Sequence, residues 1–106
     1  GLQSFPGVLT PSECFAALRA GADGLKLFPS FLVGPKGLEA LRAVLPPNTR
    51  VYAVGGVGPD SFKTWRQAGV SGFGIGTGLY IPGMSIETVT AKARDLVAAY
   101  DRMDSP

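Results

Sequence analysis

A chain of 106 residues, 45% hydrophobic and 17% charged, is long enough for one globular domain and too apolar to be a disordered tail. Ten basic and eight acidic residues are scattered without a run, so the net charge of +2 supplies no patch for nucleic acid or for an anionic membrane. With the single Cys14 and no histidine, the chain by itself cannot assemble an internal disulfide, the usual zinc sites or a Ser-His-Asp triad. No apolar run approaches the roughly 18 residues of a membrane span and nothing reads as a signal peptide, so a soluble, cytoplasmic protein is expected.

The chain opens on Gly1 rather than Met, and its first predicted strand, Phe5-Pro6-Gly7-Val8-Leu9, follows almost at once, as in the middle of a longer arrangement. A helix comes next. Thr10 is its N-cap, Pro11 its first residue and Glu13 the far end of a T-x-x-E capping box, with Cys14, Phe15 and Leu18 on one face and Gly21 as the stop. Cys14 reads as a core thiol.

The stretch Asp23-Gly24-Leu25-Lys26-Leu27-Phe28-Pro29-Ser30 holds one lysine inside a short apolar run bounded by Gly and Pro, which predicts a second strand. Strand alternation sends Leu25 and Leu27 to one face and Gly24, Lys26 and Phe28 to the other. Two explanations fit a mid-strand lysine. It lies on an edge strand and reaches solvent along its own methylenes, or it is a reactive amine in a desolvated site.

After a connection from Ser30 to Gly34, Pro35 opens a helix with Leu38, Leu41, Val44 and Leu45 at helical spacing, and Pro46-Pro47 ends it. The third predicted strand is Arg50-Val51-Tyr52-Ala53-Val54, running into Gly55-Gly56. Pro59 opens a helix with Phe62 and Trp65 inside, closed by Gly69. The fourth strand is Gly72-Phe73-Gly74-Ile75-Gly76, followed by a loop from Thr77 to Met84. A last amphipathic helix, from Ser85 to Arg102, carries Ile86, Val89, Ala93, Leu96, Val97 and Tyr100, and Asp101 to Pro106 is a polar, fraying end.

Shifting the chain by 48 positions puts Pro11 on Pro59, Ala20 on Ala68, Gly21 on Gly69 and Gly24 on Gly72, so one unit occurs twice, with Lys26 falling on Gly74. Four strands each followed by a helix predict an all-parallel α/β sheet with helices outside. Such sheets are normally buried on both faces, which argues against the solvent-edge explanation of Lys26. Four βα units are also half of a (β/α)8 TIM barrel, whose phosphate sites commonly follow strands seven and eight. Gly55-Gly56 and Gly76-Thr77-Gly78 stand at the ends of adjacent strands, where glycine lets several amides approach a dianion and Thr77 adds a hydroxyl. Either cluster alone reads more readily as a tight turn; the two together at the ends of adjacent strands bring the phosphate reading level with it. Gly72, Gly74 and Gly76 on the inward face are expected to leave space for a ligand near Lys26.

Phe5-Pro6-Gly7-Val8 with Thr10-Pro11, Leu25-Lys26-Leu27-Phe28-Pro29, Val54-Gly55-Gly56-Val57 and Gly74-Ile75-Gly76-Thr77 occur in this order across nearly the whole chain. Together they resemble the C-terminal half of the 2-keto-3-deoxy-6-phosphogluconate and 6-phosphogalactonate aldolases, class I lyases of the Entner-Doudoroff and De Ley-Doudoroff pathways of carbohydrate metabolism. The resemblance implies that this chain supplies the C-terminal four units of a single TIM barrel, with Lys26 as the Schiff-base lysine. It also implies that Gly55, Gly56, Gly76 and Thr77 hold the substrate phosphate, that Phe28 lines the site and that Pro6 borders the substrate pocket. Val54 stands where gluconate-type members carry Thr, which implies the phosphogalactonate branch. No metal or organic cofactor is implied, and the complete enzyme is expected to be a homotrimer acting on a phosphorylated keto acid. The family's general acid/base glutamate, on an early strand, has no counterpart here, and Glu13, Glu39 and Glu87 all fall on predicted outer helices. Two further readings stay open from the residues: a non-catalytic phosphate-binding half-barrel, and another phosphate-binding barrel enzyme of the thiamine-phosphate synthase kind.

Overall fold

The computed structural model describes residues 1–103 and shows four parallel strands alternating with four helices. In chain order these are β1 (Gly7–Val8), α1 (Pro11–Arg19), β2 (Leu25–Leu27), α2 (Ser30–Val44), β3 (Val51–Val54), α3 (Pro59–Gln67), β4 (Gly72–Gly74) and α4 (Ile86–Arg102). The sheet order is β1-β2-β3-β4, every neighbour pair is parallel, and no strand is skipped. Because right-handed crossovers that always step the same way put every helix on one face, this order gives a curved, barrel-type layer rather than a doubly wound sheet. The other face stays open. No helix among the described residues is long and apolar enough to cross a membrane.

Strand alternation divides the side chains as expected. Leu25, Leu27, Val51 and Ala53 point to the helices, each at most 1% exposed, and join Cys14, Leu38, Leu41, Leu45 and Trp65 in one core. Lys26, Tyr52 and Val54 take the opposite face and are half-buried. Cys14 is buried in that core, and the burial pushes its thiol above its ordinary range, away from the thiolate a nucleophile needs.

The repeat is structural. α1 and α3 each start on a proline and end at an alanine in right-handed conformation, Ala20 and Ala68, followed by Gly21 and Gly69 at φ 95° and 104°. These glycines take a left-handed conformation that a Cβ would disfavour. Arg42 of α2 ties the second unit to its neighbours: its guanidinium donates to the Gly69 carbonyl at 2.7 and 2.9 Å and to the Thr49 carbonyl.

Four expectations need correction. Ser30 to Gly34 is not a plain connection: Ser30 begins a helical turn that breaks at Gly34 (φ 75°, ψ 166°) before Pro35 restarts the helix. The Gly-Pro pair is a breaker in sequence, but the four residues ahead of it suffice for one turn. Val44 does not reach the core and is 56% exposed. Of the apolar stripe on α4, Ile86 and Val97 are 81% and 61% exposed, while Val89, Ala93, Leu96 and Tyr100 are half-buried. The cause is position: α4 follows the edge strand β4, so it has α3 and Phe73 on one side and no described element on the other. The polar end foreseen from Asp101 to Pro106 is helical through Arg102, and residues 104–106 lie outside those described.

The capping box of α1 is complete: the Thr10 hydroxyl accepts from the Glu13 amide at 3.2 Å, and Oε1 of Glu13 accepts from the amides of Leu9 and Thr10 at 3.0 and 3.1 Å. The Leu9 bond, followed by those from Thr10, holds the Glu13 carboxyl below its ordinary 4.5. Replacing Thr10 by Ala should lower stability by about 1 kcal/mol in urea unfolding. The Glu13 contribution should be fully present above pH 4.5 and vanish as pH falls through the depressed folded-state value, a loss absent from Glu13→Gln.

Candidate active site

Lys26 reaches the open face because its neighbours on both sides are committed to the core. In register it lies between Gly7 of β1 and Tyr52 of β3, and Tyr52 in turn pairs with Gly72 of β4. One row of the open face therefore reads Gly7, Lys26, Tyr52, Gly72. The next inward position on β3 and β4 pairs Val54 with Gly74. The amine extends toward the C-terminal end of its strand, where Nζ sits 4.5 Å from the centroid of the Phe28 ring. That contact is a cation–π geometry, and a protonated imine carried on the same nitrogen would meet the same ring face.

Two adjoining depressions occupy this end of the sheet. One, of about 280 Å³, is lined by Phe5, Lys26, Tyr52, Val54, Phe73 and Gly74. The other, of about 360 Å³, is lined by Phe28, Val54, Gly55, Gly56, Val57, Gly74, Gly76, Thr77 and Gly78. Val54 and Gly74 form the wall they share, and Phe28 bridges from the second depression to the Lys26 amine. An amine and a glycine-lined hollow thus stand side by side at the C-terminal end of the strands, the end at which barrel enzymes carry their sites.

The glycines have distinct tasks. Gly55 and Gly56 have φ of 104° and 75°, and a Cβ on Gly55 would lie 3.1 Å from Pro29, so only glycine lets this loop press against the end of the lysine strand. Past β4, the amides of Leu79 and Tyr80 close a turn onto the Gly76 carbonyl at 3.0 Å. The amides of Gly76, Thr77 and Gly78 therefore form the open N-terminal side of that turn, beside the Thr77 hydroxyl. Such an arrangement suits an anion.

Of the residues singled out from sequence, Lys26, Phe28, Val54, Gly55, Gly56, Gly76 and Thr77 come together here. Pro6 does not: it lines neither depression, and its carbonyl accepts the Lys26 amide at 2.9 Å. Its neighbour Phe5 occupies the inner face instead, meeting Tyr52 edge-on with ring centroids 5.5 Å apart. Of the inward glycines expected to leave space, Gly76 does, with nothing within 4 Å of its Cβ position, whereas Gly72 and Gly74 are covered by neighbouring side chains. A Cβ on Gly24 would lie 2.8 Å from the Phe5 ring, one on Gly72 3.0 Å from the Tyr52 ring and one on Gly74 2.7 Å from Val54. Gly24, Gly72 and Gly74 thus make room for Phe5, Tyr52 and Val54, which share the lysine's face of the sheet. Tyr52 shares the inward parity of Lys26 in sequence, and that parity was the available signal. Neither depression is lined by a carboxylate; Glu13, Glu39 and Glu87 are exposed on their helices, and among the described residues no three metal-ligating side chains gather.

The family model described as KDPG and KHG aldolase matches residues 2–93. A protein of Rhizobium meliloti (strain 1021) named probable 2-dehydro-3-deoxy-6-phosphogalactonate aldolase is 48% identical over 101 residues, covering 95% of this chain and 48% of that protein. The 2-dehydro-3-deoxy-6-phosphogalactonate aldolase of Escherichia coli (strain K12) is 46% identical over 100 residues, covering 94% of this chain and 49% of its own. A solved structure titled native KDPGal structure superposes with a TM-score of 0.94 at 45% identity, covering 97% of this chain and 50% of that one. The chain spans about half the length of the curated relatives it matches.

Replacing Gly55 by Ala should destabilise the fold by about 1–3 kcal/mol through its left-handed backbone and its contact with Pro29. Gly76→Ala, where a Cβ meets nothing within 4 Å, is the control and should be near neutral. Unfolding midpoints shifted equally in the two variants would contradict this account of the loop.

Proposed function

Because this chain belongs to the KDPG and KHG aldolase family, we propose that it forms the C-terminal four βα units of a (β/α)8 barrel that cleaves 2-dehydro-3-deoxy-6-phosphogalactonate. The products are pyruvate and glyceraldehyde 3-phosphate. The observation that carries the reading is the Lys26 amine on the open face beside Phe28, next to a hollow walled by the Gly55-Gly56 and Gly76-Thr77-Gly78 loops. Phosphate binding by the two glycine loops does not need an amine in mid-strand.

In the proposed reaction the neutral Lys26 amine attacks the C2 ketone, and water leaves to give a protonated imine. Breaking the C3–C4 bond sends its electron pair to the imine carbon and nitrogen, leaving an enamine, while the C4 hydroxyl gives up its proton and becomes the aldehyde. Protonation of the enamine at C3 and hydrolysis release pyruvate and restore the amine. Phosphate held by Gly55, Gly56, Gly76 and Thr77 positions the substrate remotely from the breaking bond. The proton transfers are assigned to a glutamate of the other four βα units, as no carboxylate of this chain faces the site; such a group typically contributes about 10²–10⁴-fold. The complete enzyme is proposed to be a cytoplasmic homotrimer. The lack of a carboxylate also favours a second reading for the chain taken alone, a phosphate-binding half-barrel without catalysis.

The test is trapping. The complete barrel, incubated with pyruvate and borohydride, should carry a stable secondary amine at Lys26 and not at Lys36, Lys63 or Lys92, and Lys26→Arg should abolish it. Equal labelling at all four lysines, or none, would leave only the phosphate-binding reading.

Val54 is assigned to epimer choice because it lines both depressions. Val54→Thr supplies a hydroxyl that can bond a substrate hydroxyl at C4, and one such bond is worth about 1–3 kcal/mol. The ratio of kcat/KM should shift toward the gluconate epimer. An unchanged ratio removes Val54 from specificity.

A further inference from the structure

Ser30 is fully buried, yet nothing in the proposed chemistry uses its hydroxyl. It follows the lysine strand by three residues and begins α2, and it donates to the carbonyl oxygen of Gly55 at 2.7 Å. That carbonyl belongs to the same peptide unit as the Gly56 N–H. In a planar trans peptide the two point in opposite directions. With the carbonyl held toward the buried Ser30, the Gly56 N–H is turned away from Ser30, and Gly56 itself lines the glycine-rich depression. Resting on the aldolase reading above, we infer that Ser30 is a positioning residue: its hydroxyl fixes the Gly55–Gly56 peptide so that the Gly56 amide is presented to the substrate phosphate.

The peptide needs such a clamp because it lies between two glycines, both at positive φ. Glycine occupies left- and right-handed regions with similar ease, so a peptide flanked by two of them turns over readily unless something holds it. A turned peptide would present its carbonyl oxygen to the phosphate in place of the N–H, exchanging an attractive dipole for a repulsive one. The clamp also couples the two halves of the site. The chain segment that carries Lys26 and Phe28 continues directly into the hydroxyl that orients the anion-facing amide.

The complete barrel is compared with Ser30→Ala and with Ser30→Cys, which keeps a donor at the same branch point but a weaker and somewhat bulkier one. Three quantities are read: trapping of Lys26 by pyruvate and borohydride, and kcat/KM for adding pyruvate to glyceraldehyde 3-phosphate and to unphosphorylated glyceraldehyde. In Ser30→Ala the preference for the phosphorylated aldehyde should fall about 10- to 100-fold, with a smaller fall in Ser30→Cys, while Lys26 is still trapped. An unchanged preference in both variants, or equal losses with both aldehydes, overturns the inference. Trapping lost in both variants but kept in the parent overturns it too, since Ser30 would then support the lysine strand as a whole. Absence of trapping in the parent overturns the aldolase reading itself, a different result from any of these.

Discussion

The burial of Leu25 and Leu27 governs the rest of the site. Both are completely withdrawn into the helix-facing core, and because a strand alternates its side chains, the residue between them has one direction left. Turning Lys26 to the helices would place a charge in an apolar core and push two leucines into the open, an exchange that costs several kcal/mol on each side. The amine is therefore fixed on the open face by hydrophobic burial, with no dedicated hydrogen bond needed to aim it.

The same parity arranges the rest of the inner face. Tyr52 and Val54 share the lysine's face, and bulk on β3 is matched by glycine on β4, so that the Tyr52 ring covers Gly72 and Val54 covers Gly74. Pairing large with small side chains across neighbouring strands lets Tyr52 and Val54 lie over the adjacent strand without a clash. The left-handed glycines bring the loop after β3 within contact of Pro29. In the proposed barrel the remaining four units would cover the face on which Phe5 and Phe28 are now 37% and 47% exposed.

Much of this was legible before the structure. The capping box, the repeated Pro-to-Gly helical unit, the four parallel strands and the direction of Lys26 all follow from local rules that tertiary packing reinforces. The meeting of both glycine loops with Lys26 also followed, since barrel geometry brings the C-terminal strand ends to one side, whereas the place of Phe28 and Val54 beside them was implied by the family resemblance. Other features depend on distances that no local pattern contains. The turn from Ser30 to Gly34 was hidden by its Gly-Pro breaker. The exposure of Ile86 and Val97 reflects the edge position of β4 rather than anything in the amphipathic pattern of α4. The Ser30 hydroxyl meets a carbonyl 25 residues away, and a serine at a helix start reads as ordinary capping chemistry.

The proposed function requires one face of this sheet to hold a nucleophilic lysine and an anion cradle in working relation. A crystal structure of the complete barrel, reduced with pyruvate in the presence of inorganic phosphate, tests it most directly. Density should run continuously from Lys26 Nζ to the former carbonyl carbon of pyruvate, lying between Phe28 and Val54, with phosphate against the amides of Gly56 and Thr77. Adduct density on any other lysine, or an unmodified Lys26 with phosphate bound at these loops, would contradict it.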